Sequence, residues 1–153
     1  MLKKLLAVIG LGIAAVAGLA LLIQLIPVER TNPPVVTQVK WDSPQTEALF
    51  KRACADCHSN GTVWPWYSQV APVSWLVARD VNEGREKLNV SDLRAGDPER
   101  VRHNIEEIGE VVMEGAMPMP IYLPMHPEAV LTDAEKKALV SGLQKSLLAT
   151  LNP

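Results

Sequence analysis

The stretch from Ser43 to His58, SPQTEALFKRACADCH, decides how the rest of the chain is read. Ser43 followed by Pro44 makes a helix N-cap with a first-turn proline, and the residues behind them continue as a helix that carries Cys54, Cys57 and His58 at its end. Cys54 and Cys57 are the only 2 cysteines in the 153 residues. A spacing of three sets both thiols on one side of a helical turn, with an imidazole immediately after the second.

Upstream, Lys3 and Lys4 precede an apolar run, Leu5 to Ile26, whose single polar side chain is Gln24. As a helix it is roughly 33 Å long, enough to cross a bilayer. A cleaved signal peptide is the competing reading. Against it stand the length of the run and the lack of a small-x-small pattern before QLIPVER. Lys3 and Lys4 hold the N-terminus inside, so the expectation is a single-pass protein of a bacterial inner membrane with the remainder in the periplasm. Residues 1–27 are thus read as anchor or signal segment, 28–42 as an extended tether containing the Pro33-Pro34 pair, and 43–153 as the folded domain.

Removing Lys3 and Lys4 from the 15 basic residues leaves 13 against 17 acidic ones, a formal charge of about −4 on the exported part. There is no Lys/Arg run and no basic aromatic stripe, so nucleic acid is not an expected partner. A modest acidic surplus suits a protein partner with a basic docking patch, and it equally suits plain solubility.

Downstream of the cysteines, Ala71 to Lys87 reads as a second helix. Asp97-Pro98 opens a third, with Val101, Ile105, Ile108 and Val112 at spacings of three and four. Thr132 and Glu135 form a T-x-x-E capping box ahead of Leu139, Leu143, Leu147 and Leu151. No segment alternates with a strand period, so the expected class is all-α. The long irregular connections at 59–70 and 116–131 are of the kind that organise around something bound.

C-x-x-C-H is the attachment signature of a c-type haem. The two thiols add across the haem vinyl groups, and the next imidazole becomes an axial ligand. Cys54 and Cys57 are therefore the expected thioethers and His58 the expected iron ligand, with one covalent haem c per chain. A thioredoxin-like dithiol wants a βαβ context, and zinc wants further ligands at short spacing. His103 and His126 are 45 and 68 residues beyond His58, too far to complete such a signature. A plain Cys54–Cys57 disulfide leaves His58 unexplained.

The strings CxxCHSNxTxWPWYS, APVSWLVxxDVxEGRxxLNxS and MPxxxYxxxHxxAxLTxxE resemble the bacterial haem-binding domain family, small exported proteins with one c-type haem site. The resemblance covers about Ser43 to Leu148 and implies a cytochrome c-like helical domain; it carries no reaction with it. Trp64, Trp66 and Tyr67 are expected to wall the porphyrin, a role that overlaps with simply being core. Trp75 is the same case with more weight on core. Arg79 and Arg85 read as solvated helix side chains ahead of propionate partners, and Asn89 and Ser91 as turn and capping residues.

For the sixth ligand the sequence offers Met113, Met117, Met119, Met125, His103 and His126. Met117 follows Gly115-Ala116, and Pro118 biases it towards an extended backbone that presents the side chain inward, so it is the first choice. His126 stands next, then Met125 and Met119. Met113 and His103 read as ordinary side chains of the third helix, and Met117 as a mere pocket filler stays open. No substrate chemistry is visible. The expected activity is single-electron transfer between redox partners, with a haem peroxidase or a gas or redox sensor as alternatives that would need an open iron position.

Intact-mass measurement on the protein extracted from membranes is expected to return a chain that retains Leu5–Ile26. A mature chain beginning near Pro27 identifies the run as a cleaved signal.

Overall fold

Ser43 caps the helix as its position requires, its hydroxyl accepting the Thr46 N–H at 3.1 Å. The computed structural model describes residues 1–95 and 97–152, so Gly96 and Pro153, the last residue of the expected domain, lie outside it. In chain order the helices are α1 (Leu2–Ile23), α2 (Pro44–Ala53), α3 (Ala55–His58), α4 (Val73–Lys87), α5 (Pro98–Met113) and α6 (Asp133–Leu151). Short 3-10 turns occur at Trp66–Gln69, Leu123–Met125 and Pro127–Ala129, inside the two connections expected to be irregular. Among the described residues there is no strand, and the protein is all-α as its periodicity requires.

The chain divides into two compact units, Met1–Arg30 with Trp64–Arg79, and Thr31–Val63 with Asp80–Pro153. In the first, the most apolar 18 residues of α1 have a mean hydropathy of 2.7, and the helix has no buried residue. It begins three residues earlier than the apolar run and takes in Lys3 and Lys4. Its end tightens through Leu25 N–H to Leu22 O (3.0 Å) and Ile26 N–H to Ile23 O (3.3 Å). Gln24 then closes on the backbone of Ala71. Its amide Nε2 donates to the Ala71 carbonyl at 3.0 Å and its Oε1 accepts the Ala71 N–H at 2.9 Å. Arg30 adds a hydrogen bond to the Ser68 carbonyl at 2.9 Å.

In the second unit α6 lies against α5 and α2. The buried Leu139, Leu143 and Leu147 of α6 meet Leu49, Phe50 and Ala53 of α2 and Val101, Ile105, Ile108 and Val112 of α5, the residues that the helical period marks as inward. Burying side chains of this size contributes about 1.5–3 kcal/mol each, so this interface dominates the unit. The capping box at Thr132 forms, and Glu135 also takes an ion pair from Arg52 of α2 at 2.6 Å. The Thr132 N–H first, and then Arg52, hold the Glu135 carboxyl down at about 2.

The stretch expected as a tether is irregular, but from Thr31 onward it is bound along this unit. Val36 and Thr37 N–H both donate to the Ser91 carbonyl at 2.8 Å, and Thr37 Oγ1 accepts the Leu93 N–H at 3.0 Å. Lys40 N–H reaches Thr150 Oγ1 and Asp42 N–H reaches Ser146 Oγ, each at 2.9 Å. Proline and valine remove helical period without removing hydrogen-bonding backbone, which is why composition reads such a stretch as free.

Where α6 crosses α2, Gly142 faces Thr46, whose hydroxyl would meet an added Cβ; Asp42 Oδ1 would lie only 2.9 Å from it. Gly109 of α5 has ordinary clearance, 3.5 Å to Val140. Gly142→Ala is therefore expected to destabilise the fold by about 1–3 kcal/mol through overpacking. Gly109→Ala should stabilise it by up to about 1 kcal/mol through helix propensity. Thermal unfolding midpoints that fail to move in opposite directions contradict this account.

Candidate haem site

The helix expected to run unbroken through the cysteines breaks at Cys54, where φ is −129° and ψ −30°. Cys54 N–H still bonds Phe50 O at 2.9 Å, but its carbonyl takes both the Cys57 and the His58 N–H, at 3.2 and 3.0 Å. The double acceptor closes one tight turn, α3, and this sets the axis of the C-x-x-C-H segment apart from α2.

What fixes that turn is polar and comes from the residues of the first two strings. Thr62 Oγ1 donates to Asp56 O at 2.6 Å, Ser59 Oγ to Ala55 O at 2.7 Å, and Asp56 Oδ1 accepts the Val63 N–H at 2.9 Å. Asn89 Nδ2 donates to Asn60 Oδ1 (2.8 Å), and Ser91 Oγ accepts the Asn60 N–H (2.9 Å). Asn89 and Ser91 are thus more than local capping residues, because they tie the segment after α4 to the segment after His58. Arg85 corrects its sequence reading as a solvated side chain. It donates to Ser59 O (2.9 Å), Thr31 O (2.8 Å), Asn32 Oδ1 (3.1 Å) and Thr62 Oγ1 (2.8 Å), a role for a five-donor fork inside the loops.

His58 Nδ1 lies 2.9 Å from the Leu88 carbonyl. A carbonyl only accepts, so Nδ1 carries the hydrogen and Nε2 keeps its lone pair, the arrangement found behind metal-bound histidines. Burial also lowers the His58 pKa, against the opposing pull of its backbone hydrogen bonds, so the imidazole is neutral near pH 7.

Two adjoining cavities, about 250 and 300 Å³, meet at this ring. Ala53, Cys54, His58, Lys87, Met117 and Pro118 line both. Cys57, Gly84, Met119 and Tyr122, with the carboxylates of Asp56, Asp80 and Glu83, complete the first, and Phe50, Ile108, Val112 and Leu143 belong to the apolar wall of the second. Met117 arrives because α5 is followed, after its cap Glu114, by Gly115, whose φ of +78° only glycine adopts freely; the chain turns back and Met117 N–H bonds Val111 O at 2.9 Å.

A family model described as a haem-binding domain matches residues 18–145. The chain belongs to the haem-binding domain family. No curated protein and no solved structure matches it.

The lining fits a haem: a largely hydrophobic space holding an imidazole with a free Nε2, two thiols and a thioether. Burial first, then Cys57, pushes the Cys54 thiol up to about 12; burial, then Asp56 and Asp80, pushes Cys57 up to about 11. Neutral thiols of this kind are the opposite of the lowered-pKa pair that a dithiol oxidoreductase requires. Among the described residues no group of three or more His, Cys, Asp or Glu is placed to hold a metal ion.

Of the sixth-ligand candidates, Met117 and Met119 line the cavity. His126 lines neither cavity; its ring stacks on Tyr122 at 3.9 Å and its Nδ1 faces Glu128 Oε1 at 3.1 Å. His103 pairs with Glu107 on the surface of α5, and Met113 and Met125 are exposed. Trp64, Trp66 and Tyr67 belong to the first unit, where Trp66 is 73% exposed and stands edge-on to Tyr67 at 5.9 Å. Sequence reasoning missed Tyr122, whose hydroxyl donates to Asp56 Oδ2 at 2.8 Å across 66 residues of chain. The one available signal was its fixed place in the third string, between Met117 and His126.

Gly84 marks the tightest approach in the site. A Cβ there would lie 2.6 Å from the Cys57 carbonyl oxygen and 2.9 Å from the Cys57 Cβ. Gly84→Ala is expected to displace α3 at a cost of about 1–3 kcal/mol. The haem absorbance per protein should fall with it; full haem content in this variant would contradict the assignment of α3 as the haem-bearing turn.

Proposed function

We propose that the protein is a membrane-anchored c-type monohaem carrier that passes single electrons between redox partners in the bacterial periplasm. The observation that carries this reading is the pairing of His58, neutral and held through Nδ1, with sulfur side chains lining the same cavity. A haem bound there supplies a one-electron iron couple. Cys54 and Cys57 would form its thioether attachments, and His58 and Met117 would hold the iron, with Met119 the neighbouring alternative to Met117. Met117 is preferred because it lines both cavities, whereas Met119 lines one.

Apolar walls from Phe50, Ile108, Val112 and Leu143 exclude water from the iron and favour a fixed geometry in both redox states. A thioether ligand raises the potential relative to a second imidazole. The α1 helix, long and apolar enough to span a bilayer, supports the anchor, and Lys3 and Lys4 at its start support the periplasmic side. The acidic surplus of the exported part suits a partner with a basic docking face.

Absorption spectra of the oxidised and reduced protein, with and without carbon monoxide, test the carrier reading. A six-coordinate low-spin haem that ignores carbon monoxide is expected; rapid carbon monoxide binding would transfer the protein to the peroxidase or sensor class. The haem should stay on the polypeptide through acid-acetone extraction and leave it more readily after Cys54→Ala or Cys57→Ala. The weak far-red band of sulfur on ferric haem should vanish in Met117→Ala and persist in Met119→Ala. Persistence in Met117→Ala and loss in Met119→Ala would move the ligand two residues along.

A further inference from the structure

No Asp, Glu, Lys or Arg occurs between Asp56 and Arg79, in a chain that is 21% charged. The part of this stretch within the first unit carries large apolar side chains on its outside. Trp66 is 73% exposed, Val70 44%, Val73 42% and Leu76 37%. Val73 and Leu76 are three residues apart on α4 and share a face of it. Exposed singly, such residues need no explanation. An uncharged run of them with a tryptophan and a tyrosine at its head is the composition of a membrane–water boundary, where an indole lies half in hydrocarbon.

The same unit contains the helix that would cross the bilayer, and the two are fastened together. At 22 residues α1 is roughly 33 Å long, close to the thickness of a hydrocarbon core, so its last turn falls at the headgroup level. Gln24, the next residue, holds both the N–H and the carbonyl of Ala71, and Arg30 holds the Ser68 carbonyl and, at 3.2 Å, Gln69 Oε1. Two anchorages therefore fix the 3-10 turn Trp66–Gln69 and the start of α4 beside the point where α1 leaves the hydrocarbon. An arginine there is also well placed for lipid phosphates.

We propose that the Trp66–Leu76 segment lies on the bilayer that α1 crosses, with Trp66, Val70, Val73 and Leu76 seated in the boundary between headgroups and acyl chains. This rests on α1 being a membrane anchor. It gives Trp66 a lipid-facing role in place of the porphyrin wall expected from sequence. The first unit is then a spanning helix with an interfacial foot.

The test places a photoreactive benzophenone amino acid at Trp66, Val70 or Ile13 of the full haem-loaded chain. The chain is reconstituted in vesicles of phosphatidylethanolamine and phosphatidylglycerol, and mass spectrometry reads the adducts. Lipid adducts at 66 and 70, in yield comparable with Ile13, are expected. Adducts at Ile13 alone would overturn the foot and leave the anchor standing; adducts at none of the three would remove the anchor and the foot with it. In native membranes, crosslinks from 66 and 70 to another polypeptide in place of lipid would identify a protein-docking face and overturn the proposal. Trp66→Ser supplies the second readout: its haem spectrum should match that of the parent, and a shifted Soret band would return Trp66 to the haem wall.

Discussion

The hydrogen bond between His58 Nδ1 and the Leu88 carbonyl joins the turn that carries the cysteines to the end of α4, and most of the site's architecture serves to keep those two segments at that distance. Val90 N–H returns to His58 O at 2.9 Å, so each segment gives the other a donor and an acceptor. Around them Asn60, Asn89, Ser91 and Arg85 satisfy loop backbone that would otherwise be buried without partners, at a penalty of about 1–3 kcal/mol per group. A ring held in this way has one tautomer and one orientation. The residue so held lines both cavities.

The rest of the second unit follows from where that clasp sits. Gly84 lets α4 come down onto Cys57, and the αL turn at Gly115 returns the chain from α5 so that Met117 and Tyr122 close the opposite side. The hydroxyl of Tyr122 bonds Asp56, a residue between the two cysteines, and its ring carries His126. Each of these contacts stabilises the position of a neighbour more than it adds to the fold as a whole.

Much of this was legible because local chemistry writes local patterns. Ser43-Pro44, Asp97-Pro98 and the Thr132–Glu135 box mark helix starts within a residue of where they occur. The leucines of α6 mark its inward face. The C-x-x-C-H spacing pointed to covalent haem c, and the family match bears out the haem. What stayed hidden are side-chain contacts between positions far apart in the chain. Arg85 reaches Thr31 across 54 positions, and Tyr122 reaches Asp56 across 66. Nothing in the local pattern around an arginine distinguishes a solvated fork from one with four acceptors waiting. His126 shows the same limit, since the sequence could place it before a proline but could not supply Tyr122 beneath its ring.

The contacts of Lys40 with Thr150 and of Asp42 with Ser146 join the two ends of the second unit across more than a hundred positions. Helix α2 has only 10 residues, fewer than the roughly 12–15 at which an isolated helix becomes marginally stable in water. It gains its shape from α6, which is synthesised well after it. Until then the CADCH segment rides on unsupported chain, open from every side. The interval between the emergence of Cys54 and the arrival of Leu147 is thus a window in time during which both thiols are accessible, and the docking of α6 closes it.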